Sequence, residues 1–161
     1  MKKLVLMLML LAPMTMMAQK FGKVNTQTIM QALPDVAKAN GELEALQKQK
    51  DNELKAMQDE LNRKLDEYQK GQSTMNATAK QQKETELQGL NQKIQQAYQD
   101  GQQELQKKSN ELMQPIVAKV RAAIHAVGKA GNYTYIFEEG AAIYTGSNVV
   151  DVTKEVQSKI K

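Results

Sequence analysis

Two long helix-forming segments of similar length dominate the sequence and leave little chain for anything else. Residues 34–70 and 79–114 are rich in Ala, Leu, Glu, Gln and Lys, which favour helices, and contain no proline after Pro34. Residues 71–78 between them break this pattern. Each segment of about 36 residues would extend roughly 54 Å as a helix, so the chain is predicted to fold back into an antiparallel hairpin.

The apolar residues of both segments recur with a period of eleven residues. This period corresponds to about 3.67 residues per turn and favours nearly straight helices. Lys50 and Gly101 each occupy one position of the apolar stripe. The stripe is wide enough to bury against one partner helix only. The predicted hairpin seam consists of Leu43, Leu46, Leu54, Met57, Leu61, Leu65, Tyr68, Leu87, Leu90, Ile94, Tyr98, Leu105 and Leu112.

The flanking segments predict a small body that contains β-strands. Strands are expected at residues 20–24, 133–137 and, more weakly, 142–145. A short helix should reach Leu33, and Thr153 should cap a last one. Pro115 should either kink the chain or start a new helix at Ile116, and the helical segment should end at 130. The resulting fold class is mainly α with a small β body. Its domains are a β-containing oligomerisation body (19–33 and 115–161) and a helical hairpin arm (34–114) with its tip at 71–78.

Such a body is too small to be stable alone. Three short strands form a marginal sheet, and two Phe, five Tyr and no Trp provide few large aromatic groups for a core. Association of several copies would compensate, so oligomerisation is expected. The residues predicted to build the oligomerisation body are Val24, Tyr133, Tyr135, Ile136, Phe137, Ile143, Tyr144, Val152 and Val156.

The first residues predict export. Lys2 and Lys3 precede an apolar run at residues 4–12 that is too short to span a bilayer, and Ala18 offers a cleavage point. Residues 1–18 are therefore interpreted as a cleavable signal peptide, and the mature protein as soluble in the periplasm. The sequence contains no cysteine, which excludes disulfide bonds and a lipid-modified cysteine.

No residue pattern in the sequence indicates catalysis. His125 is the only histidine and lies in an ordinary helical segment, and the acidic pairs at 59–60 and 66–67 alternate with basic residues as on a solvated helix face. Phosphate-binding loops and nucleophile elbows are absent from the sequence. We therefore expect no enzyme activity, no catalytic residue, no metal and no cofactor. The net charge of +4 is too balanced to indicate nucleic acid.

The tip of the hairpin combines apolar and basic residues. Met75 falls in the predicted turn, where nothing local can bury it. One interpretation is a surface that contacts clients or transiently touches the membrane; the other is a single exposed methionine, which is common. The residues concerned are Tyr68, Lys70, Met75, Lys80 and Lys83.

The order of these segments resembles the Skp/OmpH family of periplasmic chaperones. The resemblance begins at residues 21–26 (FGKVNT), continues through the polar hairpin and the strands around 133–144, and is most specific at Asp151, Val152, Thr153 and Val156. It implies a homotrimer whose three arms enclose a cavity. That cavity would hold unfolded outer-membrane proteins without ATP.

The resulting functional prediction is an ATP-independent periplasmic holdase, a chaperone that binds unfolded outer-membrane proteins and prevents their aggregation during transit. Glutamine-rich arms with scattered apolar residues suit contact with many sequences. The alternative is a periplasmic coiled-coil adaptor that binds one specific folded partner, since a hairpin on an oligomeric base serves either purpose.

Overall fold

The computed structural model of the protein describes residues 19–160, so the predicted signal peptide lies outside the described residues. Long helices and a small sheet confirm the predicted fold class. The elements in chain order are β1 (Phe21–Val24), α1 (Thr26–Ala32), α2 (Pro34–Gly71), α3 (Ala77–Ala130), β2 (Tyr135–Glu138), β3 (Val150–Asp151) and α4 (Thr153–Lys159).

The described chain divides into two compact units. The first contains residues 19–26 and 122–160, and the second contains residues 27–121. The first unit therefore holds all three strands, and the second holds α2 with most of α3.

The second unit is an antiparallel helical hairpin. Tyr68 near the end of α2 is bonded to Glu84 near the start of α3. Asp35 at the start of α2 is bonded to Lys119, much further along α3, so the two helices run in opposite directions. Further ion pairs follow the same register between these ends, joining Lys50 to Glu104 at 2.7 Å and Lys108 to Glu42 at 3.4 Å. The two helices therefore stay in one register along the hairpin.

The turn of the hairpin is closed by Asn76. Its side-chain oxygen accepts a hydrogen bond from the backbone N–H of Ala79 at 2.9 Å, and its carbonyl accepts from Lys80 at 3.1 Å. The helix therefore begins at Ala77, two residues before the segment 79–114 that the sequence predicts, and not after Thr78, which as a threonine is also a possible cap. Asparagine and threonine both cap helices, and two candidates so close together cannot be ranked by residue type.

Helix α3 continues through Pro115, so of the two expectations there, a kink or a new helix, the new helix does not form. Proline removes one helical hydrogen bond, but Ile116 and Val120 just beyond it are buried, and this burial offsets the loss. The helix ends where the Gly131 N–H donates to the Val127 carbonyl at 2.9 Å. Asn132 then adopts the left-handed conformation (φ 53°) that commonly follows a helix C-terminus.

The first unit is built on a three-stranded sheet of order β2–β1–β3 in which both pairs are parallel. The third strand lies at Val150–Asp151, so the strand predicted at residues 142–145 was wrong. Residues 139–149 instead follow an irregular course that includes Gly140 in a left-handed conformation (φ 85°). Ile143 and Tyr144 are fully solvent-exposed there, and an apolar pattern without a pairing partner does not form a strand.

One face of the sheet is covered within the unit. Gly22 and Val24 are buried on it, and a Cβ on Gly128 of α3 would lie 3.4 Å from Ile136. Val127, Val152 and Val156 are also buried, so the core of this unit consists mostly of valines. The aromatic residues of the strands occupy the opposite face.

Candidate functional site

Neither metal-binding nor membrane-spanning structure is found in residues 19–160. These residues contain no group of His, Cys, Asp or Glu side chains able to hold a metal ion. Within the same range, no helix combines the length and hydropathy that a membrane span requires. His125 is exposed on α3. The candidate functional surfaces are therefore the hairpin, its tip and the sheet.

The hairpin buries its apolar residues only in part. Eleven of the thirteen predicted seam residues are half-buried, whereas Leu65 is 40% exposed and Tyr98 is 56% exposed. A contact between two helices covers a narrow strip of each, so side chains at the edge of the stripe keep much of their surface. Between residues 40 and 115, only Gly101 is fully buried.

Charged residues take part in the seam. The aliphatic stem of Lys50 crosses the position where Gly101 would carry a side chain, with its Cγ and Cδ 3.7 Å from that Cβ site. Its ammonium binds Glu104, and this partner raises the pKa of Lys50. Lys64 likewise binds Glu86 across the hairpin, which lowers the pKa of that carboxylate. The antiparallel register determines these pairs, so spacing within either segment could not reveal them.

At the tip, the structure gives Met75 a local neighbour. The side chain is half-buried, and its methyl group lies 2.8 Å from the Cβ position of Gly71, so a larger residue at 71 would make the flexible end of Met75 shift. The expectation that nothing local buries Met75 was therefore wrong. Tyr68 donates a hydrogen bond to Glu84 at 2.6 Å.

The tip lysines differ in their pairing. Lys70 pairs with Asp66, and Lys83 pairs with Glu86 at 3.1 Å. These acids neutralise part of the basic charge predicted from the sequence. Lys80 is half-buried and makes no ion pair within the described residues.

The uncovered face of the sheet carries three stacked aromatic rings. The centroid of Tyr135 lies 6.2 Å from that of Phe21 and 5.7 Å from that of Phe137. Tyr135 is 59% exposed and Phe137 is 44% exposed, and Ile143 and Tyr144 lie open in the following loop. Parallel sheets are usually covered on both faces, so this surface is unusual for a complete molecule.

The other predicted body residues lie away from this aromatic surface. Val24, Val152 and Val156 are buried in the unit, and Ile136 is half-buried on the covered face. Tyr133 is half-buried beneath the Lys20 ammonium, which lies 4.0 Å from the ring centroid.

Polar contacts fasten the ends of the strands. Glu139 accepts from Lys23 at 2.6 Å and from Asn25 at 2.8 Å, and both bonds lower the pKa of Glu139. The Thr153 hydroxyl accepts from the backbone N–H of Asn25 at 3.0 Å, while the Thr153 N–H donates to Asp151 at 2.9 Å. Hydrogen bonds from Thr153 lower the pKa of Asp151. The segment on which the family resemblance is most specific thus ties β1 to β3 and α4.

The sequence pattern of the family described as outer membrane protein (OmpH-like) matches residues 20–160. The chain belongs to this OmpH-like family. The match includes all the strands and helices described above, so the hairpin, its tip and the sheet all lie within the family region.

Two curated relatives are named Chaperone protein Skp. The protein from Pectobacterium atrosepticum is 26% identical over 144 residues, covering 89% of this chain and 87% of the relative. The protein from Yersinia enterocolitica is 26% identical over 154 residues, covering 96% and 93%. Relatives named as chaperones agree with the prediction of a non-enzymatic OmpH-like protein.

A solved structure shows the same fold. The crystal structure of a protein of Caulobacter crescentus described as an OmpH-like outer membrane chaperone aligns with a TM-score of 0.77 and 15% sequence identity. The alignment covers 88% of this chain and 83% of the other. At this identity the likeness concerns the fold of the OmpH-like protein.

Proposed function

We propose that this OmpH-like protein is an ATP-independent holdase chaperone of the periplasm that binds unfolded outer-membrane proteins and prevents their aggregation. The curated relatives named Chaperone protein Skp support the class of function. The protein would act by holding its client without chemical change.

The single observation that carries the proposal is the partial exposure of the hairpin. With only Gly101 fully buried between residues 40 and 115, the Leu, Ile, Met and Tyr side chains of the seam keep surface that a client can cover. An unfolded chain loses conformational freedom when it is held, so many weak contacts must act together to offset this cost. Several arms on one assembly supply such contacts at high effective concentration.

The assembly we propose is a homotrimer formed through the first unit. The uncovered aromatic face of Phe21, Tyr135 and Phe137 is the surface that sister copies would cover. We place client contact, and transient contact with the membrane, at the tip around Met75.

Suppression of aggregation tests the function. An outer-membrane protein diluted from urea should scatter less light in the presence of a near-stoichiometric amount of the mature protein, with or without ATP. Because the protein should act on several unrelated clients, the assay is repeated with three of them. Removing the outer half of the hairpin should abolish protection, and a fully protective shortened protein would contradict the proposal.

The same assay separates the holdase from an adaptor. An adaptor binds one folded partner and leaves unfolded proteins to aggregate. Protection of no unfolded client, together with binding of one folded protein, would therefore favour the adaptor.

A further inference from the structure

Two grooves open on one flank of the hairpin. The larger, of about 630 Å³, has an apolar floor of Leu54, Ile94 and Tyr98 and a polar rim that includes Lys55, Asp59 and Gln95. The second, of about 430 Å³, is lined by Leu43, Leu105, Gln106 and Ser109 among others. Both grooves lie wholly within the second unit.

The second groove repeats the first eleven residues away on both helices. Leu43 corresponds to Leu54, Leu105 to Ile94, Gln106 to Gln95, Gln47 to Gln58 and Ser109 to Tyr98. Eleven residues make about three helical turns and return to the same face of a helix. The grooves therefore form a row along one flank, with centres roughly 16 Å apart at 1.5 Å per residue.

The rim of the larger groove holds polar side chains that lack partners. Elsewhere on the hairpin, glutamines bond the residue four positions on, as Gln47 does with Asp51 and Gln96 with Asp100, each at 2.8 Å. In contrast, Lys55, Asp59, Gln95 and Gln99 make no side-chain hydrogen bond or ion pair within residues 19–160. The rim thus offers free donors and acceptors of both charges.

We propose that an extended segment of unfolded polypeptide lies along this flank and inserts one apolar side chain into each groove. Side chains of an extended segment alternate between two faces, so the two inserted side chains must be an even number of residues apart. At up to about 3.3 Å per residue, a separation of six residues in a slightly relaxed extended chain matches the spacing of the grooves. The free amides and the mixed charges of the rim suit the unsatisfied backbone N–H and C=O groups of such a segment. A helix, including the arm of a second copy, already bonds its own backbone N–H and C=O groups and offers none to the polar side chains of that rim.

The inference rests on the proposed holdase function and adds a client-contact site along the hairpin to the one proposed at its tip. Tyr98 is the residue that distinguishes the two grooves, because Ser109 stands in its place in the smaller one. Tyr98 is 56% exposed, so its replacement should change the stability of the hairpin little. Tyr98→Ser and Ser109→Tyr thus form a reciprocal pair of variants.

The first test measures binding of two fluorescent twelve-residue peptides by anisotropy. Both peptides have the same composition and no stable fold, and their two phenylalanines are six residues apart in one and adjacent in the other. The full mature protein should prefer the first peptide, Tyr98→Ser should weaken its binding about three- to tenfold, and Ser109→Tyr should strengthen it. Val117→Ser, which removes an exposed apolar side chain of the same helix, should leave binding unchanged.

The second test places a photo-crosslinking residue at Gln95 on the rim or at Gln96, which pairs with Asp100. The probe at Gln95 should label the peptide with six-residue spacing, and the probe at Gln96 should not. Equal affinity of all variants for both peptides would overturn the inference, as would labelling of a second copy from Gln95 without peptide.

Aggregation assays on the same variants distinguish the two levels of the proposal. If the wild-type protein fails to protect any client, the holdase function itself is wrong. If wild type and Tyr98→Ser protect equally well and bind the peptide equally well, only the groove assignment is wrong.

Discussion

The Thr153 hydroxyl holds three elements together from a buried position. Its residue is 8% exposed, and the hydroxyl accepts the N–H of Asn25 at the end of β1 beside the Asp151 carboxylate of β3. A buried polar group that loses its partner costs more than the bond itself was worth. The contact therefore matters more for stability than its single distance suggests.

Replacement of Thr153 by valine keeps the shape of the side chain and removes the acceptor. We expect the free energy of unfolding to fall by about 1–3 kcal/mol, because a buried hydrogen bond is lost without compensation. Thr153→Ser retains the hydroxyl and should lose much less. Urea denaturation followed by circular dichroism measures both; equal loss in the two variants would show that the methyl group, and not the hydroxyl, stabilises the site.

Acid should destabilise the first unit through Glu139. Hydrogen bonds from Lys23 and Asn25 lower the pKa of its carboxylate below the ordinary value of 4.5. A depressed folded-state pKa contributes stability that is present above 4.5 and is lost as the pH falls through the folded value. The melting temperature should therefore decrease below about pH 4.5, and Glu139→Gln should decrease less steeply. Glu155→Gln, whose carboxylate makes no ion pair among residues 19–160, serves as the control and should titrate like wild type.

At the scale of the helices, Gly101 of α3 and Lys50 of α2 pack against each other and form one layer of the hairpin. A Cβ at Gly101 would meet the Lys50 stem at 3.7 Å, which is ordinary contact. The layer therefore tolerates a methyl group, whereas a larger side chain would push Lys50 away from Glu104.

This geometry predicts opposite signs for two substitutions. Gly101→Ala should stabilise the hairpin by about 0.5–1 kcal/mol, because glycine is a poor helix former. Gly101→Leu should destabilise it, because overpacking displaces the lysine. Gly89→Ala, at a site with nothing within 4 Å, gives the propensity effect alone. Thermal unfolding by circular dichroism measures all three, and a stabilising leucine would contradict the packed layer.

The helices were predictable from sequence because their information is local. Composition, the eleven-residue period and the turn at 71–78 gave both arms and their antiparallel pairing. Whether α3 passes through Pro115 depends on what buries Ile116 and Val120, which is tertiary information. The failed strand at 142–145 has a similar cause, since strand formation needs an edge to pair with.

The candidate surfaces were predictable only in part for the same reason. Spacing within one helix predicted the seam, but the exposure of Leu65 and Tyr98 depends on how far the second helix covers each side chain. The interhelical pairs of Lys50 and Lys64 require the register. The grooves need both helices at once, although the period that repeats them was visible in the sequence.

At the scale of the whole molecule, a single chain leaves one face of its sheet uncovered. A parallel sheet with a stacked aromatic face in water exposes apolar surface that folding normally removes. Phe137 and Val117 are both 44% exposed, yet only Phe137 belongs to a continuous apolar surface. The two residues thus provide a matched pair for testing whether the aromatic face is an interface.

Phe137→Glu should shift the protein from the proposed trimer towards monomer, since each interface would have to desolvate a carboxylate. Val117→Glu carries the same change of charge at the same exposure and should keep the wild-type mass. Light scattering coupled to gel filtration of the mature protein gives the masses directly, with dilution used to reveal weakened association. If the wild-type protein is a monomer at every concentration, the aromatic face is not a self-interface. If both variants dissociate alike, the added charge alone is responsible.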